Sequence, residues 1–365
     1  MAVVLSLTGL LAVRLADLRE GYDPVVGVPA DSLPGVWARW DSSYYVSIAR
    51  WGYERNLHAL GYFPLYPLAM SVVSQLTGLD LVASGMLVSQ LSYLGAILGL
   101  YKLAHWLKGD RAYAMRSVLY LALFPTSFFY LAVYAEAMTL LLSIVAAYLS
   151  VRGRWVLAGL AIGLASLSRP VGWLLNLVLL VEFISRRSFS RRSLLLLAAG
   201  LALSACGVVS YALYVYSFTG SLLAVTEAQS AWLREWELPW VTLCRSIRFC
   251  VWGSGVPGDW FLYVANLYDL LFAAVSIVLA VASFRRIRTS LTVFLVFSIA
   301  FVLSIRGVDP VPLWGFARWV APLFPLYLTL ADVGQSRSTR RLGWAGSAAG
   351  LLLFSSWWAT GRWVG

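Results

Sequence analysis

The sequence predicts an all-α, polytopic membrane protein, and three observations carry that prediction. Of 365 residues, 60% are hydrophobic and 12% charged, whereas a soluble domain carries roughly 25% charged residues. Apolar runs such as Leu81 to Tyr101, Leu194 to Tyr216 and Leu342 to Trp358 approach or exceed the roughly 20 residues that cross a bilayer as helix. The basic residues are concentrated in five runs: Lys102/Lys108/Arg111/Arg116, Arg152/Arg154, Arg186/Arg187/Arg191/Arg192, Arg285/Arg286/Arg288 and Arg337/Arg340/Arg341, with Asp110 the only acid inside them.

By the positive-inside rule these runs are cytoplasmic loops. Met1 to Leu18 lacks the basic start and small-residue cleavage site of a removable signal peptide, so it reads as the first span. A first outer loop follows over residues 19–80, and Leu81 to Tyr101 returns inward. Ser117 to Val151 and Trp155 to Ser185 then read as hairpins. Trp155 to Ser168 is short for a crossing and runs into Arg169-Pro170, so a half-helix is expected there. A third pair of spans encloses a long outer loop, residues 218–262, and a fourth encloses Arg306 to Trp314. A last span leaves the C-terminus outside, giving about 11 spans in a single membrane domain over residues 1–365. Glu20, Asp23, Asp31, Asp41, Glu54, Glu227, Glu235, Glu237, Asp259 and Asp309 all fall in the outward segments.

The formal charge of +11 is thus a consequence of topology and not a nucleic-acid footprint. No Walker A loop, dinucleotide fingerprint or Asp-x-Asp pair is present. His58 and His105 are the two histidines, too few to favour zinc or histidine chemistry. Neither a metal nor a cofactor is expected. Cys206 lies in a span and is expected to pack in the core. Cys244 and Cys250 share the long outer loop, where the compartment permits a disulfide but spacing does not establish one.

The chemistry concentrates outside. Arg39-Trp40-Asp41-Ser42-Ser43-Tyr44-Tyr45 sets one carboxylate among aromatics, ahead of Gly61-Tyr62-Phe63-Pro64-Leu65-Tyr66-Pro67. Trp37, Trp40, Tyr44, Ile48 and Trp51 recur at three- and four-residue steps, the spacing of one aromatic helix face in the interface. Asp41 beside it is suited either to activate a hydroxyl or to cap the helix. Prolines at 64 and 67 argue against a regular helix and for a chain folded back over the membrane, as the wall of an aromatic pocket or as a simple turn.

Phe124-Pro125-Thr126-Ser127-Phe128-Phe129, followed by Tyr134-Ala135-Glu136, is placed at an outer hairpin tip. A carboxylate near membrane depth costs roughly 2.5 to 3.5 kcal/mol on insertion scales, so Glu136 requires water or a partner. Arg169 is the candidate, either as a structural pair or as a ligand for a lipid phosphate. Glu227, Gln229, Trp232, Arg234, Glu235, Trp236 and Glu237, with Trp240, Arg245, Arg248 and Trp252, form either a sugar-stacking surface or an amphipathic interface helix. Arg318 is a phosphate ligand or an interfacial anchor.

Trp40-Asp41 with Tyr45, Ala49, Gly52-Tyr53 and Phe63-Pro64-Leu65-Tyr66-Pro67 resembles the first outer loop of the PIG-V-type mannosyltransferases, which add the second mannose of GPI anchors and belong to the GT-C class. Phe124-Pro125 through Tyr134-Ala135-Glu136, Ser168-Arg169-Pro170-Val171-Gly172, Glu227-Ala228-Gln229 with Trp232, and Arg318 followed by Phe324-Pro325 resemble later blocks of that family, in the same order. The resemblance implies a GT-C bundle with interfacial helices in its catalytic first outer loop. It also implies inverting transfer of mannose from a polyprenyl-phosphate-mannose to a hydroxyl on a glycolipid or lipid-linked glycan. Asp41 would be the base and Arg169 or Arg318 the phosphate ligand, with Trp40, Tyr44, Tyr45, Tyr62, Tyr66, Glu136, Gln229 and Trp232 lining the substrate site. Ala135 departs from the small hydroxyl residue usual before the glutamate. The compact chain implies a prokaryotic relative in the cell membrane; a eukaryotic one would sit in the endoplasmic reticulum, its site luminal. The competing class is a transporter or flippase for lipid-linked sugars, which calls for ionisable residues in mid-span and broken helices in matched halves.

Overall fold

The computed structural model describes residues 1–16, 18, 25, 27–187, 189–230, 234–253, 260–307 and 311–364. Glu20, Asp23, Trp232, Asp259 and Asp309 lie outside the described residues. Among the described residues the chain is mostly helical, with two strands of two residues each.

The first helix, α1 (Ala2–Leu15), leads to two short helices of the outer loop, α2 (Leu33–Trp37) and α3 (Ser42–Trp51). The aromatic face expected over Trp37 to Trp51 is therefore interrupted. Trp40 has φ +50°, a left-handed conformation that a bulky side chain seldom adopts, and it turns the chain between the two helices. Trp37 ends in the core while Trp51 remains exposed. The α4 helix (Leu65–Thr77) begins at the prolines expected to prevent one. Pro64 is its N-cap and Pro67 lies in the first turn, where the missing N–H would have no intrahelical partner anyway.

The long α5 (Leu81–Lys108) starts on Asp80, whose side chain accepts from the backbone N–H groups of Val82 and Ala83. It is followed by α6 (Arg111–Leu123) and α7 (Glu136–Val151). The segment joining α6 and α7 is no exposed hairpin tip: residues 126–135 are all buried. Its polar groups are satisfied inside, Thr126 Oγ1 donating to Ala317 O at 3.0 Å and Val133 N to Trp37 O at 3.0 Å. Buried backbone must find such partners.

The expected half-helix is present as α8 (Trp155–Ser168), which ends at Arg169. A 3₁₀ turn over Pro170–Leu175 and α9 (Asn176–Ser185) follow. Against α8 packs α10 (Arg191–Thr219) through glycines on both sides. A Cβ on Gly159 would lie 1.9 Å from the Gly200 carbonyl oxygen, and one on Gly207 would lie 2.4 Å from that of Gly163. Small residues allow the backbones to touch, the packing that serves where lipid supplies no hydrophobic drive.

The long segment between α10 and the next long helix holds α11 (Ala224–Ser230), β1 (Glu235–Trp236) and α12 (Pro239–Trp252). Trp236 of β1 and Trp240 and Trp252 of α12 are exposed. The remaining helices are α13 (Trp260–Ser283), α14 (Thr289–Leu303), α15 (Phe316–Val320), α16 (Pro325–Val333) and α17 (Arg337–Ala359). After α14, β2 (Ile305–Arg306) pairs antiparallel with β1, Glu235 opposite Arg306.

Among the described residues α5, α10 and α13 are long and apolar enough to cross a membrane, and five shorter apolar stretches accompany them. Helix α17 contains the expected Leu342 to Trp358 span but is not apolar enough to join the three, being diluted by glycine, serine and tryptophan. One cysteine expectation is corrected, and one question that the sequence left open is answered. Cys206 is exposed on α10 instead of core-packed, and Cys244 and Cys250 are free thiols. The last two sit within α12, and Cys250 Sγ is 3.1 Å from Asn266 Nδ2.

Candidate active site

Asp41 occupies the N-cap position of α3 but makes no side-chain cap hydrogen bond. Its carboxylate is used elsewhere. Arg318 Nη1 lies 2.6 Å from Asp41 Oδ2 and Arg318 Nε 3.6 Å from Glu136 Oε1, while Arg169 Nη2 donates to Glu136 Oε1 at 2.5 Å. Four charged side chains from α3, α7, α15 and the break after α8 thus form one line. The Asp41 carboxylate is 14% exposed and Arg318 is 3% exposed. Asp41 Oδ1 has no hydrogen-bond partner among the described residues and is available to a ligand.

The backbone behind this line is held firmly. Asp41 N donates to the Tyr134 hydroxyl at 3.0 Å, which in turn donates to Arg39 O at 3.2 Å. The Arg318 guanidinium lies within 6 Å of the rings of Phe129, Tyr134 and Trp363, where cation–π attraction offsets part of its desolvation. Arg318 is further positioned by Asp269 of α13, whose carboxylate accepts from Gly315 N at 3.0 Å and Ala317 N at 2.8 Å. Asp269 escaped the sequence reading. Its signal was an acid inside an apolar run.

Asp41, Tyr45, Tyr62, Arg169, Gln229 and Arg318 line one cleft with about 440 Å³ of empty space, part of it open to solvent. Gly61, Phe63, Ser168, Pro170, Arg234 and Trp319 complete its walls; of these the sequence offers Arg234 only as part of a candidate sugar-stacking surface and gives Trp319 no role. Gln229 of α11 closes down on Gly61, where a Cβ would stand 2.6 Å from Gln229 Nε2. Tyr44 stacks on Tyr62 at 4.8 Å, outside the lining. Trp40 packs edge-on to Trp363 at 5.4 Å, also outside it. Tyr66 is fully buried behind Tyr45, its hydroxyl bonded to Gly85 O and Ser89 Oγ. Glu136 reaches the cleft through the two arginines it holds. Burial raises the Tyr44 and Tyr62 phenols above their ordinary value, and the Asp41 carboxylate adds to the rise, so both rings stay neutral.

A second, apolar groove with about 920 Å³ of empty space, part of it open to solvent, adjoins the cleft, lined among others by Ile48, Tyr53, Pro64, Leu68, Leu167 and Tyr211. Pro64 and Leu167 line the groove while their neighbours Phe63 and Ser168 line the cleft. A charged head and an apolar tail on one ligand would fit such adjoining sites. Among the described residues no three metal-ligating side chains converge.

The fold is shared with known enzymes. ArnT from Cupriavidus metallidurans, solved bound to undecaprenyl phosphate, is 17% identical with a TM-score of 0.55 over 94% of this chain and 61% of that one. The apo oligosaccharyltransferase of Archaeoglobus fulgidus is 15% identical with a TM-score of 0.50 over 100% of this chain and 56% of that one. Both are GT-C glycosyltransferases. GPI mannosyltransferase 2 of Yarrowia lipolytica is 30% identical over 146 residues, 40% of either chain. The chain thus spans less than two thirds of these relatives' lengths. The mannosyltransferase (PIG-V) family matches residues 24–305, and over most of its length this protein belongs to that family.

Proposed function

We propose that this chain is an integral-membrane, inverting glycosyltransferase that moves mannose from a polyprenyl-phosphate-mannose to an acceptor hydroxyl on a glycolipid or lipid-linked glycan. The observation that carries the reading is the Asp41 carboxylate, open at Oδ1, in a guanidinium-lined cleft that adjoins an apolar groove. In the step proposed, Asp41 takes the proton of the acceptor hydroxyl, whose oxygen bonds to the anomeric carbon from the face opposite the phosphate. The bond from that carbon to the phosphate oxygen breaks, its electron pair leaving with polyprenyl phosphate. Arg169 opposes the charge that develops there, and Arg318 orients Asp41. The groove would take the first isoprene units, a use supported by the undecaprenyl phosphate bound to ArnT. The basic runs on the opposite side support an outer or luminal site in a multi-pass topology.

The test is transfer from radiolabelled polyprenyl-phosphate-mannose to a membrane extract by purified protein in lipid. Wild type is expected to yield a labelled product that Asp41→Asn does not form at equal protein level. Wild-type transfer by Asp41→Asn removes Asp41 as the base, and a donor left untouched by every variant, wild type included, removes the activity.

A further inference from the structure

Resting on the lipid-phosphate donor just proposed, we infer that Arg234 and Arg169 together form the phosphate subsite, on the indole of Trp319. Both guanidiniums lie close to that ring, Arg169 at 4.8 Å and Arg234 at 5.0 Å from its centroid, and all three residues line the cleft.

The charges around the cleft do not balance. Among the lining residues Arg169, Arg234 and Arg318 supply three positive charges against the one negative charge of Asp41, with Glu136 standing behind the wall on Arg169 and Arg318 and Asp269 behind it on the backbone of Ala317. Arg318 is shared between Asp41 and Glu136, and Arg169 is held by Glu136. Arg234 has no ion pair among the described residues. The acids nearest to it in sequence are engaged elsewhere, Glu235 with Arg306 and Glu237 with Arg245, each at 2.9 Å. Burial, with the Arg318 charge behind it, lowers the Arg234 guanidinium below its ordinary value, and the nearby Tyr62 and Asp41 offset this only in part.

Arg169 points the same way. Its Nη2 is spent on Glu136, but its Nη1 is buried without a hydrogen-bond partner. Buried donors in this state are uncommon and call for an acceptor. A phosphoryl group accepting from both arginines would satisfy the orphan donor and cancel the excess charge. Planar forks suit phosphate for this purpose.

The chain also builds Arg234 into place. Its N–H donates to Gln229 O at 3.2 Å, and it directly precedes β1, which is paired to β2. That pairing is the only sheet among the described residues, and it anchors the long outer loop over the cleft.

Native mass spectrometry of the full chain in detergent, titrated with undecaprenyl phosphate and with undecaprenol, tests the assignment. Wild type is expected to favour the phosphate lipid. Arg234→Gln should weaken phosphate-lipid binding about tenfold or more while leaving the alcohol unchanged, and Arg234→Lys should recover part of the loss. The assignment is overturned if Arg234→Gln binds the phosphate lipid as wild type does, or if it loses both lipids alike. No preference for phosphate in wild type instead overturns the donor reading beneath it, independently of Arg234.

Discussion

Among the described residues, buried and partly buried carboxylates meet basic side chains at both ends of the helices, and the two ends differ in completeness. On the side of the basic loops, Glu182 accepts from Arg288 Nε and Nη2 at 2.9 and 2.8 Å and from Ser290 Oγ at 2.5 Å. Asp332 there meets Lys108 at 3.2 Å and Arg286 at 2.9 Å. Both oxygens of each carboxylate are engaged. In the cleft, by contrast, Glu136 Oε2, Arg169 Nη1 and Arg318 Nε are all buried without a hydrogen-bond partner. A satisfied network rigidifies a fold, whereas a partly satisfied one is costly in low dielectric. Such cost persists where a ligand completes the network, so the first is read as a fastening and the second as a site.

The strongest way to break this contrast is at Asp41. Asp41→Asn is expected to reduce transfer about 10²- to 10⁴-fold, the usual contribution of a general base, while thermal melting shows the fold retained. A variant that unfolds instead would make Asp41 part of a fastening. Arg288→Ala tests the other network. It leaves Glu182, 2% exposed, without its cation and should cost about 3 kcal/mol of stability, seen as a lower melting temperature with unchanged transfer per folded molecule.

Asp269→Asn probes the link between scaffold and cleft. An amide oxygen replaces a carboxylate that serves two N–H groups, so a loss of about 1 to 2 kcal/mol is expected, together with a fall in kcat larger than any rise in donor KM. Equal turnover would separate Asp269 from the positioning of Arg318. The smallest effect belongs to Gly61→Ala. Its Cβ would push aside the far end of the flexible Gln229 side chain, costing under about 1 kcal/mol and raising substrate KM several-fold, measured in the same transfer assay.

Charges in so apolar a chain are easy to see, and for that reason Asp41, Glu136, Arg169 and Arg318 could be picked out one by one. Arg234 was visible too, but among interleaved tryptophans and acids nothing marked it as the unpaired member; only the pairing of Glu235 with Arg306 and of Glu237 with Arg245 does so. Local rules misled in two places. Pro64 and Pro67 argue locally against a helix, yet they begin one, because the effect of proline depends on its position relative to the helix start. The periodicity of Trp37 to Trp51 concealed a turn at Trp40, since spacing records which residues could share a face and not whether the backbone continues.

From the sequence alone came the membrane class, the family resemblance and the break after Ser168. Each depends on composition or near neighbours along the chain. Tertiary structure decided which charges meet: Asp41 and Arg318 stand 277 residues apart, and Asp269 and Gly315 46 apart. Coulomb energy falls with distance in space, and sequence separation says nothing of that distance until the helices have packed.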